Sequence, residues 1–245
     1  FLKELLNNEV GFVWAPVQMV SDDPAKAQGL EEEQGLLSQQ LALALAEPQK
    51  TVTLVSPYFV PGKRGVELFR DLENAGVEVR VLTNSLEAND VALVHSGYAK
   101  YRETLLEAGV ELFELRKFRS ENEDEYRSSG VTVGSSAASL HAKTFAVDGE
   151  TLFVGSFNFD PRSTNLNTEL GFLIKSPELA DALESAFSKQ VRLAAYEVVL
   201  DDDGELLWLE FNGTETVEHH HEPNIGAFKR ALVYLFSFLP VEPLL

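Results

Sequence analysis

The sequence predicts an α/β fold in which helices cover both faces of a mixed, mostly parallel sheet. Three observations lead there. A helix–strand pattern occurs twice, as Gly65 to Ala75 then Val77 to Thr83, and as His95 to Ala108 then Val110 to Leu115, with near-copies AGVEVRVL and AGVELFEL at the joins. Gly76 and Gly109 stand where a left-handed residue ends a helix. Thr51 to Ser56 is a short apolar run of the kind that a sheet covered on both faces contains, and Asp148-Gly149 between two apolar runs signals a hairpin. Two copies of the α–β unit are too few for a solenoid.

The remaining elements follow in chain order. Val10 to Val20 is apolar but broken by Pro16, which suits a strand and a loop. Leu30 to Ala46 reads as a helix with Leu37, Leu41 and Leu45 at four-residue spacing, closed by Pro48. Arg116 to Ser139 is polar and rich in serine and glycine, so it reads as a mobile loop that either borders a site or is inert surface. After the Asp148-Gly149 hairpin come a strand at Leu170 to Ile174 and a helix opened by Ser176-Pro177, with Leu179, Leu183, Phe187 and Val191 on one stripe. Val198 to Leu200 and Leu206 to Phe211 read as a hairpin outside the main domain. The expected division is therefore residues 1–48, a central domain over 49–195, and an extension over 196–245.

Composition narrows the function. Among 245 residues there are 20 lysines and arginines against 39 acidic residues, a net charge of −19. Nucleic-acid binding rests largely on basic residues neutralising phosphates, so this balance counts against it, and against a broad basic membrane-binding face. The absence of cysteine excludes disulfides, thiolate catalysis and zinc–thiolate sites.

The run LHAKTFAVDGETLFVGSFNFDPRSTNLNTE, Leu140 to Glu169, concentrates the chemistry. His141 and Lys143 would project from the same face of a strand. A two-residue hairpin would pair Val147 with Glu150, set Ser156 opposite His141, and place Asn158 on that face too. An imidazole, an ammonium, a hydroxyl and a carboxamide, without a metal-ligand set, suit a tetrahedral phosphate. Each fragment taken singly is an ordinary strand or turn sequence; their order and spacing together are what carry meaning.

HxK, four residues, Asp, six residues, then Gly-Ser-x-Asn resembles the HKD signature of the phospholipase D superfamily. Phe159-Asp160-Pro161-Arg162-Ser163 and Asn167-Thr168-Glu169 are similar to the bacterial cardiolipin synthase branch. So are Ser56-Pro57-Tyr58-Phe59-Val60-Pro61-Gly62, Leu82-Thr83-Asn84-Ser85 with Asp90, His95-Ser96-Gly97-Tyr98, and the ending Leu239 to Leu245. Asp22-Asp23-Pro24-Ala25-Lys26 matches the crossover that follows that branch's first catalytic domain, which makes 1–48 a segment leaving an earlier domain. The resemblance implies a phospholipase D-like α/β/α sandwich. It also implies phosphodiester transfer through a phosphohistidine, with a phospholipid substrate, no metal and no cofactor, in a bacterial, membrane-associated enzyme.

Carried onto these residues, His141 resembles the acid/base histidine of the second motif, and an imidazole's unperturbed pKa near ~6.5 suits that work. Lys143 and Asn158 would hold phosphoryl oxygens. Glu169 resembles the carboxylate that accepts from the far ring nitrogen and fixes the tautomer. Asp148 belongs to the catalytic motif but occupies a turn, so a structural role is expected of it. Ser156 would support either the histidine or the phosphate. The family uses two motifs and this chain has one HxK, since His95 is followed by Ser96 and Gly97. Either an N-terminal HKD domain of the same protein or a second copy must supply the other. A hydrolase or nuclease of the same superfamily, and a non-catalytic half that completes another domain's site, stay open.

Other candidates are weaker. Tyr58 and Phe59 end a strand beside a Pro-Gly turn, where α/β sheets present ligand contacts or core. Asn84, Asp90 and His95 follow the next strand as possible pocket-lining groups, and Arg162 has Glu169 or substrate within its range. His219-His220-His221, flanked by acidic residues, reads as a solvated loop and not as a metal site. Ala227 to Leu239 is apolar but shorter than the ~20 residues a bilayer span needs. It suits either the membrane interface, through Phe228, Tyr234, Phe236 and Phe238, or packing onto a partner domain.

Overall fold

A computed structural model describes residues 12–29, 36–44, 47–117 and 140–238. Its strands are β1 (Val17–Ser21), β2 (Thr51–Val55), β3 (Glu78–Asn84), β4 (Glu111–Leu115), β5 (Thr144–Val147), β6 (Thr151–Gly155), β7 (Leu170–Lys175), β8 (Ala195–Leu200), β9 (Leu206–Phe211) and β10 (Thr216–His219). They form one sheet in the order β1-β7-β6-β5-β2-β3-β4-β8-β9-β10. The longer α-helices and the one that follows β6 are α1 (Leu37–Ala44), α2 (Gly62–Asn74), α3 (Ala92–Ala99), α4 (Arg102–Glu107), α5 (Pro161–Asn165), α6 (Pro177–Ala186) and α7 (Ala227–Ser237), with short helical turns at Pro24–Gln28, Phe187–Val191 and Arg192–Ala194.

The sheet is mixed, as expected, but mostly antiparallel. Only β2–β3 and β3–β4 run parallel, while the other neighbouring pairs run antiparallel. A parallel pair needs a crossover helix. Here α2 supplies the first, and α3 with α4 supplies the second. The helix expected over 95–108 is these two, parted at Lys100-Tyr101, where the Tyr101 amide donates to the Tyr98 carbonyl (2.8 Å) in a tighter turn.

Both flanks join the sheet. β1 lies against β7 at one edge. The β8–β9 hairpin, expected to stand apart, pairs with β4 through Leu112–Val198 and its neighbours. On one face Phe59, Phe69, Val81, Tyr98, Leu105 and Trp208 form the main core, and Val20, Leu37, Leu41, Phe153 and Leu173 form a second cluster beneath α1. On the other face Val55, Leu82, Phe113 and Leu115 pack against Phe187 and Val191, in the helical turn that follows α6. Of the polar stretch 116–139, residues 118–139 lie outside the described residues, as does the ending 239–245.

Candidate active site at one end of the sheet

The C-terminal ends of β1, β2, β3 and β6 and the N-terminal starts of β5 and β7 meet at one rim, and the residues singled out by the motif gather there. His141 is exposed, and its ring nitrogens hydrogen-bond to no described residue. The preceding residue is pinned: the Leu140 amide donates to Asn84 Oδ1 (3.0 Å), and Asn84 Nδ2 donates to the carbonyls of Leu140 (3.4 Å) and Pro57 (3.3 Å). β5 begins only at Thr144, so His141 and Lys143 lie in the segment before it and not on the expected strand, and Asn84 is a buried staple holding that segment to the end of β3, not a group that lines a pocket.

Lys143 is half-buried, and its Nζ donates to the His141 carbonyl (3.0 Å). Burial pulls its ammonium below the ordinary lysine value, and the nearby carboxylates of Glu169 and Asp160 pull the other way. Both carboxylates are themselves buried. Burial raises the Asp160 carboxyl, with Glu169 adding to the rise and the Ser163 and Arg162 amides opposing it. Asp160 also caps α5, accepting from the Ser163 amide (2.7 Å) just before Pro161.

The hairpin differs from expectation by one residue. Val147 pairs with Thr151 rather than Glu150, with Asp148 (φ 56°) and Gly149 (φ 65°) both left-handed. The cause is non-local. Asp148 stays in the ladder with β2, its amide donating to the Thr51 carbonyl (2.9 Å). Its carboxylate accepts from the amides of Gln49, Lys50 and Thr51 at 2.7–3.1 Å. A one-residue slip exchanges the faces of a strand. Gly155, not Val154, therefore lies across from Lys143, its amide donating to the Lys143 carbonyl (3.1 Å), and Ser156 is shifted by one residue from the place opposite His141. A side chain at Gly155 or Gly171 would strike the Phe153 ring, which stacks on Phe145 beneath them, so the motif glycine is required by close approach.

Ser156 and Asn158 reach the rim beyond the end of β6. The Ser156 hydroxyl donates to Glu169 Oε2 and accepts from the Leu170 amide (3.1 Å). Ser156 thus takes Glu169 Oε2, and the bond expected between Glu169 and the His141 ring is not made. Asn158 is buried, and its Oδ1 has no partner among the described residues. Its Nδ2 bonds to none of them either. At such a residue the two amide positions are interchangeable, so the carboxamide has both an acceptor and donors available for a ligand.

Tyr58 reaches this rim, donating to Asp90 Oδ1 (2.9 Å). Burial, that bond and the charges of Asp90 and Asp160 push its phenol up to about 12. Phe59 does not reach it. Fully buried against Phe69, Tyr98 and Phe159, it is core, because the chain turns inward where the Ser56 hydroxyl links the Tyr58 carbonyl to the Phe159 amide. Asp148, grouped with the catalytic motif, lies at the far end of β5 from Lys143. Although burial alone would raise it, the three amides and Lys50 hold its carboxyl below the usual value. It is a structural clasp. Arg162 donates to Asn167 Oδ1 (3.2 Å) and makes no ion pair with Glu169. His219 lies in β10 and meets Glu210 (2.9 Å), and the described residues contain no cluster that could hold a metal.

Sequence reasoning passed over Asp22 and Lys26 as site residues. Lys26 Nζ donates to Asp22 Oδ2 (2.7 Å) and to the Ser163 carbonyl (2.9 Å), and this ion pair is buried. Asp22 Oδ2 also accepts from the Glu169 amide (2.8 Å), and Oδ1 accepts from the Leu37 amide (2.7 Å). The pair thus fixes the Glu169 backbone, the turn at Ser163 and the start of α1 together. The available signal was the i,i+4 spacing of opposite charges after β1.

The chain matches the family described as cardiolipin synthase, PLD-like domain, over residues 41–191. It is 44% identical to cardiolipin synthase C of Escherichia coli K12 across the whole of this chain and 51% of that protein, so it spans about half the length of that relative. Its fold is similar to phosphatidylserine synthase of Haemophilus influenzae Rd KW20, with a TM-score of 0.56 at 16% identity over 93% of this chain and 46% of that one. It is also similar to the phospholipase D family member Nuc of Salmonella typhimurium, with a TM-score of 0.53 at 16% identity over 76% and 99%. With that family match over most of the described core, the chain belongs to the phospholipase D superfamily, in its cardiolipin synthase-like branch.

Proposed function

We propose that the chain is one half of a phosphatidyltransferase of the cardiolipin synthase type, with His141 as the general acid and base. The observation that carries this is an exposed imidazole that bonds to no described residue, beside a half-buried ammonium at a rim whose carboxylates accept from Ser156 and Ser163. In the reaction a histidine of a second motif attacks phosphorus to form a phosphohistidine, and the P–O bond to the leaving alcohol breaks as His141 supplies that oxygen with a proton. His141 then removes the proton of the incoming alcohol as its oxygen displaces the phosphohistidine nitrogen. Lys143 and Asn158 hold the non-bridging oxygens and stabilise their developing charge. Glu169 acts on Lys143 by charge and on the rim through Ser156, held in place by Asp22 and Lys26. Tyr58 borders the substrate.

The second motif needs a seat, and the face of β1, β7 and β6 away from α1 offers one. Met19, Phe172 and Val154 stand in register across it, with Val17 and Leu170 beside them, and all five are exposed. This apolar strip runs directly to Leu170 and Ser156 at the rim. An N-terminal HKD domain of the same protein, or a second copy, placed there would bring its histidine toward His141. A phospholipid as substrate and a membrane as its source follow from the same reading.

The test is product analysis with labelled phosphatidylglycerol and the complete two-motif assembly. A dimeric lipid is expected, and it should vanish in His141→Ala. Phosphatidate alone would favour the hydrolase reading, and an unimpaired His141→Ala variant would remove this residue from the chemistry.

A further inference from the structure

No helix among the described residues is long and apolar enough to cross a membrane, yet a phospholipid substrate lies in one. We infer that α7 is the surface that seats this chain on a phospholipid bilayer. The inference rests on the phosphatidyltransferase reading for its choice of partner.

Helical spacing puts Phe228, Ala231, Leu235 and Phe238 on one face, with Tyr234 at its margin. Phe228 is 84% exposed, Phe238 69%, Tyr234 68% and Leu235 60%. So much apolar surface on one short helix is unusual for an isolated surface and marks a contact. The opposite side of α7 is already occupied: Val233 is buried, and the helix packs on α3. Lys229 Nζ donates to the Leu86 carbonyl (2.9 Å) and Arg230 to the Ile225 carbonyl (2.9 Å). Just before α7, Glu222 pairs with the buried Arg102 (2.8 Å). α7 is therefore a fixed element of the fold with one free apolar side.

Its position favours lipid as the occupant. Leu86 lies just past the end of β3, in the loop that carries Asp90 to Tyr58, so α7 starts at the same end of the sheet as His141 and runs from there toward the β8–β9 turn, where Tyr234 and Ser237 border a hollow shared with Asp201 and Glu205. A second catalytic half has a different seat, the β1–β7–β6 strip, at the opposite edge of the strand order from β10 and continuous with the rim. Phenylalanine and leucine with a tyrosine at the margin is the side-chain set of a helix lying in the headgroup–acyl boundary. At a net charge of −19 the chain gains nothing from a generally anionic surface, so apolar burial has to hold it there. Binding should accordingly survive high salt.

The experiment is partition of the intact protein onto phosphatidylglycerol–phosphatidylethanolamine vesicles, measured by sedimentation without turnover. Phe228→Ser/Leu235→Ser/Phe238→Ser should weaken partition by roughly tenfold or more, at low and at high salt, with Tm unchanged because all three side chains are exposed. Turnover on monomeric short-chain phosphatidylglycerol should be retained. Leu235→Trp should be quenched by brominated lipid, beyond the quenching of the parent with its Trp14 and Trp208. Unchanged partition, or no added quenching, overturns the inference. So does loss of the assembly's mass in the triple variant, which would assign this face to a protein. Because the vesicle assay contains no catalysis, an inactive but vesicle-bound protein would count against the phosphatidyltransferase reading alone.

Discussion

Two clusters in this chain combine a histidine, a cation and carboxylates, and they differ in how far their bonds are used up. Beneath the sheet, Arg102 donates through Nε to Glu114 (2.8 Å) and through Nη2 to Glu222 (2.8 Å), between the rings of Tyr98 and Trp208. Tyr98 and Trp208 also donate to Glu114, at 3.1 Å each. His95 Nε2 lies against both Glu222 (2.9 Å) and Arg102 (2.6 Å), so its tautomer decides whether it donates or accepts. At the rim, among the described residues, Lys143 bonds to one carbonyl, the His141 ring to none, and the Asn158 side chain to none. The first cluster has spent most of its bonding capacity on holding α3, α4, β4, β9 and the segment before α7 together, and His95 Nδ1 alone of its polar side-chain atoms is buried without a partner among the described residues. The second leaves donors and acceptors that no described residue satisfies. A hollow of about 590 Å³ borders the first cluster, lined in part by Arg102, Trp208 and Glu222.

The contrast can be broken most forcefully by exchanging outcomes between the two. His141→Ala or Lys143→Ala should lower turnover of the complete assembly by about 10²–10⁴-fold, with Tm unaltered, since neither side chain carries the fold. Arg102→Met should do the reverse. It strands Glu114 and Glu222 inside, a change that costs about 3–5 kcal/mol, visible as a lower urea midpoint. A His141 variant that unfolds, or an Arg102 variant of normal stability, would show that the saturation of these bonds does not separate the two roles.

Asp22 and Lys26 lie between these extremes, because a buried, saturated pair here serves the open rim. Lys26→Met should lower stability. At temperatures where the variant is still folded, it should also cut kcat by roughly tenfold or more with little change in KM, since Glu169 loses its fixed backbone. A lowered Tm with normal kcat would make the pair purely structural.

The sequence carried the motif well and the sheet less well, for a physical reason. His141, Lys143, Gly155, Ser156, Asn158 and Glu169 lie within one short stretch, and their gathering at one rim follows from local spacing. The two parallel pairings were likewise legible in the repeated helix–glycine–strand units. What decided the rest was distant in sequence. The hairpin register follows from Asp148 bonding residues 49–51, the antiparallel majority from β4 meeting β8 and β1 meeting β7, and the burial of Phe59 from Phe159. Asp22 could be matched to the resemblance but not assigned a task, because its partners Leu37 and Glu169 lie 15 and 147 residues away.

The smallest expected effect is the share of the protein's pH dependence that the Arg102 cluster contributes through Glu222. Burial alone would raise the Glu222 carboxyl, but Arg102 and His95 outweigh it and hold the group at about 2. An unfolded glutamate titrates near ~4.3. A carboxyl depressed in the fold contributes stability that is present in full above the unfolded value and is lost as pH falls from there toward about 2. The parent protein should therefore lose Tm steeply between about pH 4.3 and 2, and Glu222→Gln should start lower at neutral pH but fall less steeply through that window. Turnover at neutral pH, corrected for any unfolded fraction, should be the same in both, because Glu222 touches neither His141 nor Lys143. Parallel Tm curves would place the acid sensitivity in other carboxylates, and a turnover change in the folded variant would mean that the two clusters are coupled through the loop between Leu86 and Asp90.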